Sequence, residues 1–124
     1  MPPNLTPSLP FRCEVQPARE GARIRPVGEV DLATVDVVQA QLAELKSAGF
    51  SQLTLDLRAV SFMDSTGLKM ILEWDASSRA DGFAFRLVAG SPAVQRLFDL
   101  TGTRERLDFV EPASVAQRED HALL

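Results

Sequence analysis

What most constrains this chain is where its apolar residues change period. Phe11, Cys13 and Val15 alternate with Arg12, Glu14 and Gln16, the period of a strand with one buried face. Ala22, Ile24 and Pro26 alternate in the same way with Arg23, Arg25 and Val27, up to Gly28. Turn residues from Pro17 to Gly21 separate the two runs, so an antiparallel hairpin is expected. The period then switches. Leu32, Val35, Val38, Leu42 and Leu45 recur at three- and four-residue spacing, which is one face of a helix, and Gly49 follows as a stop signal.

The switch then recurs. Leu53–Leu57 reads as a short strand, Ser65–Ala80 as a helix ended by Asp81-Gly82, and Phe83–Val88 as a nearly continuous apolar strand, the pattern of a central position. Ser91-Pro92 opens a third helix with a good N-cap and a first-turn proline, and Gly102 closes it. Leu107–Val110 is a last short strand, and Ser114–Gln117 matches a capping box before a short fourth helix. The order β-β-α-β-α-β-α-β-α favours parallel pairing with right-handed crossovers. The expected fold is α/β: a mixed sheet of four to five strands, parallel in its centre, packed with about four helices. A chain of 124 residues is the length of one domain. With 45% apolar and 24% charged residues, it has the composition to bury a core. Met1–Pro10 holds four prolines and is expected to be an extended, mobile leader, with the domain spanning residues 11–124.

Several chemistries lack their parts. His121 is the only histidine and Cys13 the only cysteine, so a histidine triad would depend on the C-terminal tail and no zinc-ligand spacing exists. No intramolecular disulfide is possible, which fits a reducing compartment. The net charge of −4, with basic residues scattered among acids, argues against nucleic acid as the partner. No apolar run reaches membrane-spanning length, and the leader has no secretory pattern. These observations lead to the expectation of a cytoplasmic, non-enzymatic protein that needs no metal or cofactor, does not act on membranes or nucleic acid, and is a monomer or weak dimer.

The stretch from Leu55 to Leu68 is the most informative. A strand leads into Asp64-Ser65-Thr66-Gly67, where a helix begins. Asp64 can accept from free first-turn N–H groups. On a helical wheel, Leu68, Ile71 and Leu72 face the sheet, while Ser65, Lys69, Glu73 and Ala76 face away. Met70 and Trp74 fall at the border, where Trp74 is either core edge or interface. Gly67 weakens a helix, so its place in the first turn asks for a close neighbour, such as a partner's backbone. A second cluster, Gly28-Glu29-Val30-Asp31, links the second strand to the first helix, with Asp31 placed to cap that helix. If both strands are parallel, the two clusters share one edge of the sheet, where α/β folds place their sites.

At these two clusters the sequence resembles the STAS family, in particular its stand-alone members, the anti-sigma factor antagonists. The matching residues are Gly28–Asp31, Val60–Leu68 and, in the third helix, Ser91–Gly102; the resemblance runs from about Phe11 to Leu124. It implies that Ser65 is phosphorylated by an anti-sigma factor that is also a serine kinase, with Thr66 a second acceptor. It further implies that the unmodified protein binds that kinase and frees a sigma factor, and that a serine phosphatase resets the switch. The partner-binding residues are then Gly28, Glu29, Asp31, Asp64, Ser65, Thr66, Gly67 and Lys69. By itself Ser65 is explained as an ordinary helix-start serine; the surrounding match makes it a phosphosite.

Two other functions stay open. STAS domains also serve as accessory subunits of lipid or anion transport complexes, which need no kinase. A nucleotide-binding enzyme is the third reading, and the chain lacks a phosphate-cradling glycine loop for it.

Overall fold

A computed structural model of the chain describes residues 10–17 and 21–112. Most of the expected leader and the expected fourth helix from Ser114 lie outside the described residues. So does the middle of the turn between the first two strands.

Strand β1 (Arg12–Pro17) pairs antiparallel with β2 (Gly21–Val30), Cys13 opposite Pro26 and Val15 opposite Ile24. This is the expected hairpin. Helix α1 (Val35–Ser47) follows, then β3 (Gln52–Asp56) and β4 (Val60–Met63). Helix α2 (Ser65–Asp81), β5 (Ala84–Val88), helix α3 (Pro92–Thr101), a 3₁₀ turn at Arg104–Arg106 and β6 (Phe109–Val110) complete the order. The main sheet runs β1-β2-β3-β5-β6, antiparallel only at the β1–β2 edge. The mixed, centrally parallel architecture is therefore as expected, with six strands instead of four to five and three α-helices among the described residues.

The extra strand is β4, within the stretch that the sequence presents as a polar cluster ahead of the helix. Its burial runs buried, exposed, exposed, buried, so it lacks the alternation that announces a strand. It pairs parallel with the end of β2: Gly28 with Val60, Glu29 with Phe62 and Val30 with Met63. The register shifts between Gly28 and Glu29, a bulge at which Gly28 takes φ +117°, a conformation open to glycine and strained for other residues. The second strand thus does not stop at Gly28 but carries Glu29 and Val30 with it.

One core lies against the sheet. Ile24, Val38, Leu42, Leu53, Leu55, Ile71, Leu87 and Phe98 are all fully buried in it. Met70, expected at the border of the apolar arc, is buried as well. Trp74 packs at the core edge, its ring 6.1 Å from Phe83 and 6.4 Å from Phe85 between centroids. That decides between the two places left open for it.

At the bend between β3 and β4 sits a buried charge. Asp56, at the end of β3, is 0% exposed. Its carboxylate accepts from Arg58 Nε at 2.9 Å, Arg58 Nη2 at 2.7 Å and the Arg58 backbone N–H at 3.1 Å, and Arg25 Nε lies 3.4 Å away. Burial alone would raise the Asp56 carboxyl. The hydrogen bonds and charge of Arg58, with the charge of Arg25, outweigh it and hold the group below its ordinary value. This clamp fixes the bend between β3 and β4, and so the direction in which β4 leaves the main sheet.

Candidate functional site

The two sequence clusters meet in space. The Asp64 N–H donates to Val30 O at 3.2 Å, and the Gly28 N–H donates to Ala59 O at 3.1 Å. Helix α2 therefore starts directly beside the end of β2. Parallel pairing of β2 with β4 brings this about, since both chains leave the sheet at the same edge.

At the start of α2, Asp64 is the N-cap, in extended conformation. Its Oδ1 accepts from the Thr66 N–H at 2.9 Å and from the Gly67 N–H at 3.4 Å, satisfying donors that a helix start leaves free. Ser65 is exposed, Thr66 half-buried, and Lys69 exposed one turn further on, beside Glu73. Ser65 is thus held by a capped helix start while its own side chain faces outward. Replacing Asp64 by Ala should cost about 1 kcal/mol of stability through the lost cap. Urea denaturation would check this, with an unchanged midpoint showing that the cap is not needed.

Gly67 has a different reason from the one expected. It is buried, and a Cβ there would lie 2.5 Å from Met63 Cγ and 3.0 Å from Val30 Cγ1. The close neighbour is the chain's own β2–β4 layer. Gly67 therefore faces inward and offers no side of itself to a partner. In Gly67→Ala the helix propensity gain, at most about 1 kcal/mol, opposes an overpacking cost of about 1–3 kcal/mol. A net loss of about 1 kcal/mol is expected by denaturant titration, since Met63 and Val30 are themselves packed in the core. A stabilised variant would show that the Met63 side chain gives way.

The Gly28–Asp31 cluster also departs from expectation. Helix α1 starts at Val35, with Thr34 at its N-cap, three residues later than Asp31 capping at Leu32 would give. Asp31 instead builds a turn ahead of the helix: its Oδ1 accepts from the Ala33 N–H at 2.9 Å, and its backbone O from the Val35 N–H at 2.8 Å. The Thr34 hydroxyl donates to Glu29 O at 2.6 Å and accepts from the Asp31 N–H at 3.0 Å. Glu29 remains exposed. Thr34 is the residue that sequence reasoning missed; an Asp followed three positions later by Thr is a turn-forming pattern that could have pointed to it.

The site thus consists of an exposed hydroxyl on a capped helix start, beside a hydrogen-bonded acidic turn. Among the described residues, no group of three or more His, Cys, Asp or Glu is arranged to hold a metal ion, and no helix is long and apolar enough to cross a membrane. Such a surface has the parts for contact with another protein.

A parallel sheet entered by a hairpin, with this helix start at its edge, is the architecture of a STAS domain. The STAS domain family model matches residues 16–116, and the chain belongs to that family. It is similar to the anti-sigma-B factor antagonist of Bacillus subtilis (strain 168), with 30% identity over 96 residues, covering 77% of this chain and 87% of the relative. Among solved structures it is similar to an anti-sigma factor antagonist from Mycobacterium paratuberculosis, at 24% identity and TM-score 0.69, covering 83% of this chain and 86% of that one. It is also similar to the phosphorylated form of the Bacillus cell fate determinant SpoIIAA, at 23% identity and TM-score 0.65, covering 88% and 98% of the two chains. These two likenesses establish the fold.

Proposed function

We propose that this protein is an anti-sigma factor antagonist. In this reading it is a cytoplasmic binding protein without catalytic activity of its own. Unmodified, it binds an anti-sigma factor serine kinase and so releases a sigma factor. Phosphorylation of Ser65 ends that binding, and a serine phosphatase restores it.

The observation that carries the reading is the exposed Ser65 hydroxyl at the capped start of α2, tied through Asp64 to the end of β2. A kinase needs its acceptor accessible, and a switch needs it on the surface the partner covers. A relative named anti-sigma-B factor antagonist supports the partner class. A neighbour solved in its phosphorylated form supports the tolerance of this fold for a phosphate. The physical basis of that tolerance is the helix start itself, whose free N–H groups and dipole favour negative charge. Glu29, Asp31, Asp64, Thr66 and Lys69 belong in this reading to the same docking surface, with Gly28 shaping it through its bulge.

The test is phosphorylation by the purified anti-sigma factor kinase of the source organism with ATP, read by mass spectrometry. Modification should fall on Ser65 and vanish in Ser65→Ala. Undiminished modification of that variant would move the acceptor to Thr66 or elsewhere, and no modification at all would remove the proposal.

A further inference from the structure

Five large apolar side chains are exposed among the described residues: Val15, Leu32, Val37, Phe62 and Leu100. Single exposed apolar residues are ordinary on a protein surface, and Val15 and Leu100 need no other account. The remaining three are placed differently. Leu32 is two residues beyond Val30, and Phe62 is two residues before Asp64; Val30 and Asp64 are the pair whose hydrogen bond joins the two halves of the site. Two residues of chain reach at most about 7 Å, so both residues lie close to the joint from which α2 and Ser65 start. Phe62 also stands in register with exposed Glu29 on the neighbouring strand. The Val37 N–H donates to Thr34 O, in the turn that Asp31 and Thr34 build.

The local fold leaves these side chains without an inward role. Leu32 matches the helical spacing of α1 by sequence, yet it sits in the turn before the helix and is 78% exposed. Phe62 is 50% exposed, while Met63 beside it enters the core. The charge around them is mainly acidic: Glu29, Asp31, Asp36 and Asp64 lie in these turns and at the starts of α1 and α2, with Lys69, one turn into α2 and 4.0 Å from Glu73, as a cation on the same surface. The docking end of the molecule therefore carries exposed apolar side chains among mainly acidic ones.

We propose that Leu32 and Phe62, with Val37 at their margin, are the apolar anchors by which this chain docks on the kinase, entering an apolar pocket of the partner rimmed by Arg and Lys. The inference rests on the function proposed above and deepens it by naming the chemistry of the partner's surface. Two arguments select this occupant over a second copy of the chain. The patch is continuous with the Ser65 surface, and an acidic rim repels its own copy while it complements a basic one. Interfaces concentrate their binding energy in a few apolar or aromatic side chains within a polar rim, and Leu32 and Phe62 have that arrangement.

The experiment is calorimetric titration of the purified anti-sigma factor kinase of the source organism with wild type, L32A/F62A and L100A, at low and high salt. Circular dichroism melts confirm folding, and Leu32→Ser alone serves as the second variant should Phe62→Ala perturb β4. The expected result is binding at least tenfold weaker for L32A/F62A, binding within twofold of wild type for L100A, and wild-type affinity that falls as salt rises. Binding of L32A/F62A within twofold of wild type overturns the anchors and leaves the proposed function standing. Equal losses in L100A overturn the localisation, and salt-independent affinity overturns the basic rim. If wild type itself does not bind the kinase, the proposed function falls, and this inference with it.

Discussion

Ser65→Asp is expected to weaken binding to the kinase by about ten- to a hundredfold while leaving the domain as stable as wild type. The two halves of this expectation have separate causes. Within the domain, a carboxylate in the first turn of α2 meets the positive end of the helix, an interaction of about 0.3–1 kcal/mol in its favour. Asp64 beside it opposes the new charge, and both groups are partly solvated, so the balance lies near zero. At the interface the charge meets a different environment. A kinase that phosphorylates Ser65 brings the anionic phosphates of its nucleotide against the Ser65 oxygen, so a charge placed on that residue faces charge of the same sign across a few ångströms. At 4 Å such a pair repels by about 1 kcal/mol in water and about 4 kcal/mol at an effective dielectric of 20. A partly desolvated interface lies between these limits, and each 1.4 kcal/mol is tenfold in affinity. Ser65→Ala, which adds no charge, should bind as wild type does. Calorimetry on both variants checks the pair of expectations. Equal affinity for Ser65→Asp and wild type would place the hydroxyl outside the interface.

The largest effect on stability is expected at Asp56, which is buried and offers no atom to a partner. Asp56→Ala removes a fully buried carboxylate, and with it the acceptor of the Arg58 side-chain and N–H hydrogen bonds and the opposite charge beside Arg25. Breaking a buried ion pair costs about 3–5 kcal/mol. The lower end applies here, because both arginine side chains reach water. Against a typical total of 5–15 kcal/mol, about 3 kcal/mol is a large share. The pH dependence follows from the direction of the shift. Asp56 is held below its ordinary value in the folded protein, so its contribution is full above the unfolded carboxyl value of about 3.9. It is lost as the pH falls below that value through the folded one. Asp56→Asn should therefore unfold at lower urea concentration near neutrality and show a shallower loss of stability below about pH 4 than wild type. Parallel pH profiles for the two proteins would assign the acid sensitivity to other carboxyls.

Much of this was readable in the residues. The alternation in β1 and β2 gave the hairpin, and Ser91-Pro92 gave the start of α3, where the Val94 N–H indeed donates to Ser91 Oγ. The Asp64 cap and the outward face of α2 were legible because capping and helical periodicity are local. What stayed hidden depends on neighbours distant in sequence. Strand β4 buries Val60 and Met63 and exposes Ser61 and Phe62, and among the described residues only one of its edges is paired, with a bulged strand. Helix α1 starts later than its apolar spacing predicts because the Asp31 carboxylate is engaged in a turn, and because Leu32 imitates a core position that the chain does not use. The reason for Gly67 lay with Met63 and Val30, and no local pattern announces a contact between side chains packed from two strands.

Strand β2 has a double engagement. Its first half is laddered to β3 from Gly21 to Ile24, and its last part to β4 from Gly28 to Val30. The second ladder is short, and its buried side chains, Val30, Val60 and Met63, join the common core while Glu29, Ser61 and Phe62 face outward. Loosening its outward side does not require parting β2 from β3. Substitutions at those outward positions can therefore retune which surface the protein meets while the inward ones keep the scaffold intact.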